Sequence, residues 1–404
     1  MQLTREKFEE ATKSVQEIVH STKLIPSEYL SSQTGAEVFL KPENVQHTGS
    51  YKIRGAYYKI STLSDEERGR GLITASAGNH AQGVAYAAQQ FGCIAKIVMP
   101  SITPLIKLNR TKNYGAEVIM YGNTYDEAHK HALQLAEEHD YTFVHPFNDL
   151  DVVAGQGSVA AEILQELPFV DYLVVPVGGG GLIAGVATLA KMLNPKVKIV
   201  GVEPLSAASM KASLEADHIV ELESVNTIAD GVAVKAVGDK AFPYVKEYVD
   251  DILLVDDEEL IGAFLDIMEN HKMIVENAGL LSVAALRQLD CAGKKVVCIL
   301  SGGNMDVITM ASLVQHGLIQ RDRVFTVSVL LPDKPGELVR VATVVSKSKG
   351  NIIKLDHNQF YSTNRNKAVE LKITIEAFGT QHKEEILSSL EKEGFQPKLV
   401  TASL

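Results

Sequence analysis

The sequence predicts an α/β protein with two open parallel-sheet units and a small C-terminal βαββαβ domain. Three observations predict it. Short apolar runs alternate with helical patterns from about residue 72 to 145, and again from about 155 to 315. That rhythm is the mark of right-handed βαβ units on a parallel sheet. Three of the apolar runs lead directly into polar, glycine-containing turns. After residue 320 the order becomes strand, helix, strand, strand, helix, strand, a ferredoxin-like pattern.

Taken in order, residues 4–19 carry Phe8, Ala11, Val15, Ile18 and Val19 at helical spacing. A strand over 37–41 precedes Thr48-Gly49-Ser50-Tyr51-Lys52-Ile53-Arg54-Gly55-Ala56, which leads into a helix through Tyr57 and Ile60. The first series places strands at 72–75, 95–99, 117–121 and 141–145, with helices at 81–91, 104–114 and 124–139 between them. The second places strands at 172–177, 198–203, 252–255 and 296–300, with helices that include 182–193 and 257–271. In the C-terminal module a strand over 324–331 is followed by Asp333-Lys334-Pro335-Gly336-Glu337, which opens a helix to about 348. Strands near 351–358 and 368–376, a helix over 380–392 and a strand near 395–400 complete it.

Composition narrows the function. The 404 residues suffice for two or three domains with sizeable cores. A net charge of −11 argues against nucleic acid and anionic membranes as partners. No apolar run is long enough to span a bilayer, and the first residues carry no apolar signal segment, so a cytosolic (cytoplasmic) setting is expected. Cys93, Cys291 and Cys298 are widely spaced and read as small core hydrophobes, with no disulfide framework and no metal site.

The chemistry concentrates in Lys52 and three strand-end turns. Lys52 sits between an aromatic and an aliphatic residue; desolvated, its amine can form a Schiff base with a carbonyl cofactor. Ser76-Ala77-Gly78-Asn79-His80 stands before a helix and is suited to a carboxylate, or is an ordinary helix cap. Gly178, Gly179, Gly180 and Gly181, followed by Leu182, join a buried strand to an apolar helix. Four consecutive glycines there point to close backbone approach and a phosphate at the helix start. Ser301-Gly302-Gly303-Asn304 can offer a hydroxyl to a flat ring, or is a turn capped by Asn304. A rival reading takes Gly179, Gly181 and Ala184 as a dinucleotide fingerprint with Glu203 on the ribose, the mark of a nicotinamide-dependent oxidoreductase. It leaves Lys52 and Ser301 without a role.

These motifs, in this order, resemble the fold type II (tryptophan synthase β-like) pyridoxal-phosphate enzymes, and most closely the threonine dehydratases, or threonine ammonia-lyases. The resemblance covers essentially the whole chain. It implies a pyridoxal 5′-phosphate-dependent catalytic region over 1–320, with a small unit of about 50–145 inserted in a large one. Lys52 would carry the cofactor and act as base, with Tyr51 beside it. Asn79 would meet the ring oxygen, and Gly178, Gly179, Gly180, Gly181 and Leu182 the phosphate. Ser301 would face the ring nitrogen, and Ser76, Ala77, Gly78 and His80 would receive the substrate carboxylate. The implied substrates are threonine and serine.

Residues 324–404 resemble an ACT regulatory domain, with Asp333, Gly336 and Asn351 as effector contacts and isoleucine or valine as effector. The same resemblance implies a homo-oligomer, a dimer or a tetramer. Tyr51 stands where the family usually has Phe, and Glu276-Asn277 where many relatives have Glu-Pro. Serine racemases usually carry Ser where this chain has Ala77 and an acidic metal ligand where it has Ser209, which argues against racemase activity and against a divalent site at Glu203 and Ala207. A non-catalytic amino-acid sensor is a further alternative; Lys52 and the glycine loop argue against it.

Overall fold

The computed structural model describes residues 2–358 and 369–401. The chain forms two compact units, Met1–Asp306 and Val307–Leu404.

The first unit holds strands β1 (Ile25–Pro26), β2 (Glu37–Pro42), β3 (Leu72–Ala75), β4 (Ala95–Met99), β5 (Glu117–Met120), β6 (Thr142–Phe143), β7 (Tyr172–Pro176), β8 (Lys198–Pro204), β9 (Asp251–Val255) and β10 (Lys295–Leu300). They make two sheets, β1-β2-β10-β7-β8-β9 and β5-β4-β3-β6. Every pairing is parallel except that of β1 with β2. Apolar, nearly continuous strands such as β7 and β3 suit this setting, because a parallel sheet is covered on both faces. The small sheet is built from a segment between β2 and β7, both of which lie in the large sheet.

The helix Leu150–Glu166 has no counterpart among the sequence expectations. It is buried almost all round, so no apolar stripe marks it. It is nevertheless what seats Lys52. The helix Lys52–Ser61 crosses it where Gly55 meets Gly155: a Cβ on Gly155 would fall 2.7 Å from the Arg54 carbonyl oxygen. Beside that contact lies a buried ionic cluster. Arg54 donates to Glu43 at 2.7 and 2.8 Å and to Glu162 at 2.7 and 3.0 Å. Lys41 donates to Glu162 at 2.5 Å. Two cations face two carboxylates, so the cluster is neutral; removing one partner costs roughly 3–5 kcal/mol, because a buried charge is left uncompensated.

Observed boundaries follow the local chemistry. The first helix runs Arg5–Gln16, capped by Thr4, whose hydroxyl accepts from the Lys7 amide, a contact of about 1 kcal/mol. Its Phe8 is fully buried. The helix expected at 81–91 starts earlier, at Asn79. The strand expected at 141–145 shortens to β6, because Val144 through Asn148 turn into the site.

The second unit contains the helix Val307–Gln320, then β11 (Val324–Leu331), Glu337–Lys347, β12 (Asn351–Asn358), β13 (Val369–Glu376), Thr380–Lys392 and β14 (Lys398–Val400). Residue 368, the expected first residue of β13, lies outside the described residues. The sheet order β12-β13-β11-β14 is antiparallel throughout. Val341, Val345, Ile386 and Leu390 from its helices bury against Val327, Val329, Leu371 and Ile373.

Candidate active site

Strands β3, β6, β7 and β10 end on the cleft side of the first unit, where open parallel sheets place ligands. Lys52 opens its helix there, half-buried, and its Nζ donates to the Pro146 carbonyl at 2.8 Å. Nζ also lies 5.3 Å from the centre of the Tyr51 ring. Burial brings the Lys52 amine down to about 8, against the opposing pull of the Glu276 charge. The same two neighbours, burial first and then Glu276, push the Tyr51 phenol up. Backbone contacts join this segment to the end of β10: the Tyr51 amide donates to the Ser301 carbonyl at 3.1 Å, and the Gly303 amide to that of Gly49 at 2.9 Å.

Phe147, next to Pro146, lies against the glycine loop. A Cβ on Gly179 would fall 2.3 Å from its ring, and one on Gly181 2.9 Å from its Cα. Gly180 takes φ +94°, in the left-handed region. The helix Gly181–Leu193 begins there without any side-chain cap, which leaves first-turn amides for an anion. The Lys52 amine and the glycine loop are thus linked through Pro146 and Phe147, neither of which was singled out from sequence. They follow the fourth strand end, 141–145, and the strand-end rule that picked out the other three turns would have reached them.

Ser76, Ala77, Gly78 and Asn79 are half-buried, and the helix Asn79–Gln90 also starts without a side-chain cap. Ser76 Oγ accepts from the Gly78 amide at 3.2 Å, a local turn bond. His80 points away from such a role: its buried ring donates from Nε2 to the Val144 carbonyl at 2.9 Å. Burial, then the Lys52 charge, hold it neutral, down to about 3. Its backbone amide, not its imidazole, is what remains for a carboxylate. His145 is likewise kept neutral, down to about 4 by burial and then His129, and its Nδ1 accepts from the Asn148 amide at 2.8 Å.

Glu276 forms a wall that sequence reading left without a role. It is buried, and its Oε1 accepts from Asn79 Nδ2 at 2.6 Å. Burial, then Asp230, raise its carboxyl to about 7. Asn304 does not cap a helix; its Nδ2 donates to the Thr48 carbonyl at 2.7 Å and to Asn79 Oδ1 at 2.8 Å. Ser301 is buried at the end of β10. In the second unit, Gly336 takes φ +93° at the start of Glu337–Lys347, which has no side-chain cap, and Asp333 lies in the turn just before it. Asn351 donates to Glu376 at 3.1 Å.

The oxidoreductase alternative fails on Glu203. The carboxylate is fully buried and accepts from the Met210 and Lys211 amides at 2.8 and 2.9 Å. It caps the next helix and cannot reach a ribose. Ser209 is buried beside it, its hydroxyl without a partner.

A desolvated amine, an uncapped glycine-rich helix start, a buried serine at a strand end and an orienting amide suit a carbonyl-bearing aromatic phosphate. Fold and site together define a fold type II pyridoxal-phosphate enzyme. The family model for pyridoxal-phosphate-dependent enzymes matches residues 15–302, and the chain belongs to that family. It is similar to an L-threonine ammonia-lyase of Thermotoga maritima, 44% identical over 399 residues, covering 98% of this chain and 100% of the relative. Among solved structures, the processed form of threonine deaminase isoform 2 from Solanum lycopersicum is similar with a TM-score of 0.74 and 40% identity, covering 78% of this chain and 94% of that one. Maize serine racemase is similar with a TM-score of 0.73 and 35% identity, covering 78% of this chain and 98% of that one.

Proposed function

We propose that this protein is a pyridoxal-phosphate-dependent threonine ammonia-lyase, converting L-threonine to 2-oxobutanoate and ammonia, and L-serine to pyruvate. The observation that carries it is the desolvated Lys52 amine among the three motif turns. Pyridoxal phosphate, when bound, supplies an electron-withdrawing conjugated ring next to the substrate's Cα. Lys52 Nζ would hold it and, once displaced by the substrate's amine, would be free to take the Cα proton; a lowered amine pKa favours both roles. The amides at residues 178–182 would receive the phosphate, Asn79 the ring oxygen and Ser301 the ring nitrogen. Serine at that nitrogen, where a carboxylate would protonate it, suits rapid loss of a β-hydroxyl. Amides at residues 76–80 orient the substrate carboxylate. The β-hydroxyl would leave as water, taking up a proton, and the enamine, freed as the Lys52 amine takes its place again, would tautomerise and be hydrolysed by water to the 2-oxo acid and ammonia.

The similarity to a serine racemase favours one second reading. Ala77 counts against it, since it offers no hydroxyl to return a proton to the face of Cα opposite Lys52. Incubation of the reconstituted enzyme with L-threonine and L-serine tests both readings. 2-Oxobutanoate and pyruvate should form, with D-serine far behind; D-serine accumulating as fast as pyruvate overturns the assignment.

The C-terminal unit serves, in this reading, as an ACT-type module. Uncapped amides at the start of Glu337–Lys347 suit the carboxylate of an effector amino acid, isoleucine or valine. The βαββαβ order supports it. The protein works in the cytosol as a dimer or tetramer, where an effector acts by favouring one conformational state.

A further inference from the structure

Four side chains form a hydrogen-bonded line that passes back and forth across the cleft. Arg110 Nη1 donates to Asn304 Oδ1 at 3.3 Å, Asn304 Nδ2 to Asn79 Oδ1 at 2.8 Å, and Asn79 Nδ2 to Glu276 Oε1 at 2.6 Å. Arg110 lies on the helix Leu105–Lys112 and Asn79 opens Asn79–Gln90, both of the small sheet's layer. Asn304 follows β10, and Glu276 precedes the helix Asn277–Ala284, both on the large-sheet side. The line therefore alternates small, large, small, large.

Its direction is determined by what each end can do. A guanidinium only donates, and Glu276 Oε1 is the accepting oxygen at the other end. Turning the Asn79 amide over would set its oxygen against Glu276 and its NH2 against that of Asn304, two repulsions in place of two bonds. The network thus selects one amide orientation. Backbone contacts hold both supports. The Glu276 amide donates to the Gly302 carbonyl at 3.0 Å. A Cβ on Gly302 would fall 2.4 Å from Glu276 Oε1, so the carboxylate is seated against bare backbone. Asn79 Nδ2 has two hydrogens and gives one to Glu276, which leaves one N–H in a fixed direction.

We propose that Arg110, Asn304 and Glu276 are positioning residues that hold the free N–H of Asn79 toward the cofactor's ring oxygen, so that this contact is complete only when both sides of the cleft are in register. The proposal rests on Asn79 being the ring-oxygen contact. Asn304, already bonded to the Thr48 carbonyl, ties the line to the segment that delivers Lys52.

The test uses full-length enzyme reconstituted with pyridoxal phosphate. The visible absorbance maximum and the cofactor dissociation constant are read for Asn79→Ala, Asn304→Ala, Glu276→Ala, Glu276→Gln and Arg110→Ala. Asn79→Ala should shift the maximum and weaken binding about tenfold, the size of one hydrogen bond to an ionised group. Asn304→Ala and Glu276→Ala should shift the maximum the same way. Glu276→Gln, which keeps an acceptor, should recover most of the wild-type position. Arg110→Ala, at a half-exposed site where folding is not at stake, should give a smaller shift of the same sign. In the Asn79→Ala background, Glu276→Ala should move the maximum no further, because coupled residues are not additive. If Asn79→Ala shifts the spectrum while the other variants keep the wild-type maximum and affinity, the relay is refuted and the cofactor contact stands. If Asn79→Ala leaves the spectrum unchanged, the cofactor contact itself is refuted, and the relay with it.

Discussion

Phe147 packs so closely on Gly179 that a methyl group there would sit 2.3 Å from its ring. The loop therefore has no room for a side chain, whatever it binds. Gly179→Ala should cost about 1–3 kcal/mol by overpacking and weaken cofactor binding at least about tenfold. Phe147→Ala added to it should restore part of the lost stability. Thermal unfolding of the single and double variants checks this. Additive losses would show that the ring is not what excludes a side chain at 179.

Lys52→Ala should lower threonine turnover by at least about 10²–10⁴, the usual contribution of a positioned base. Borohydride reduction followed by mass spectrometry should find cofactor covalently attached to the wild type and none attached to the variant. A variant that turns over threonine near the wild-type rate rules out Lys52 as the reactive amine.

Ser301→Asp should retain cofactor and reduce elimination about tenfold or more, because a carboxylate would protonate the ring nitrogen and change the electron demand at Cα. Cofactor titration and 2-oxobutanoate formation are measured together. Undiminished elimination reduces Ser301 to a turn residue.

Burial raises the Glu203 carboxyl from its ordinary 4.5 to about 7, against the backbone amides it accepts from. The folded state then binds more protons than the unfolded state between those values. Stability from this group falls as pH rises through the window. Glu203→Gln removes that component, so the melting temperature of wild type relative to the variant should decline from pH 5 to pH 7.5. A difference that does not move with pH shows that Glu203 is an ordinary ionised cap.

Truncation after Asp306, the end of the first compact unit, should leave cofactor attachment and threonine turnover in place while abolishing any response to isoleucine or valine. A dose series on full-length and truncated protein decides it. Full-length kinetics that neither amino acid alters would remove both effectors from consideration.

Much of the site was legible because its turns are local. A polar, glycine-bearing turn after a buried parallel strand announces itself within ten residues, and strand ends converge on one cleft. The turns at 76–80, 178–182 and 301–304 stand out that way; Lys52 was singled out by its aromatic and aliphatic neighbours, and the roles of Asn79 and Ser301 came from the family resemblance. The helix Leu150–Glu166 was not, because a helix buried on all faces has no polar stripe to set its period. His80 was placed by its motif, and only packing turned its imidazole to Val144.

What the sequence determined by itself was the set of motifs, the order of the elements and the C-terminal βαββαβ pattern. All of these are written in short-range periodicity and turn chemistry. Tertiary structure alone decided which groups meet. Glu276 reaches Asn79 across 197 positions, Asn304 reaches Asn79 across 225, and Lys52 finds Pro146 across 94. No local pattern encodes such pairs. They arise because two sheets, each with its own hydrophobic core, bring their strand ends to one cleft, and because a buried polar group keeps its place only where the fold supplies a partner.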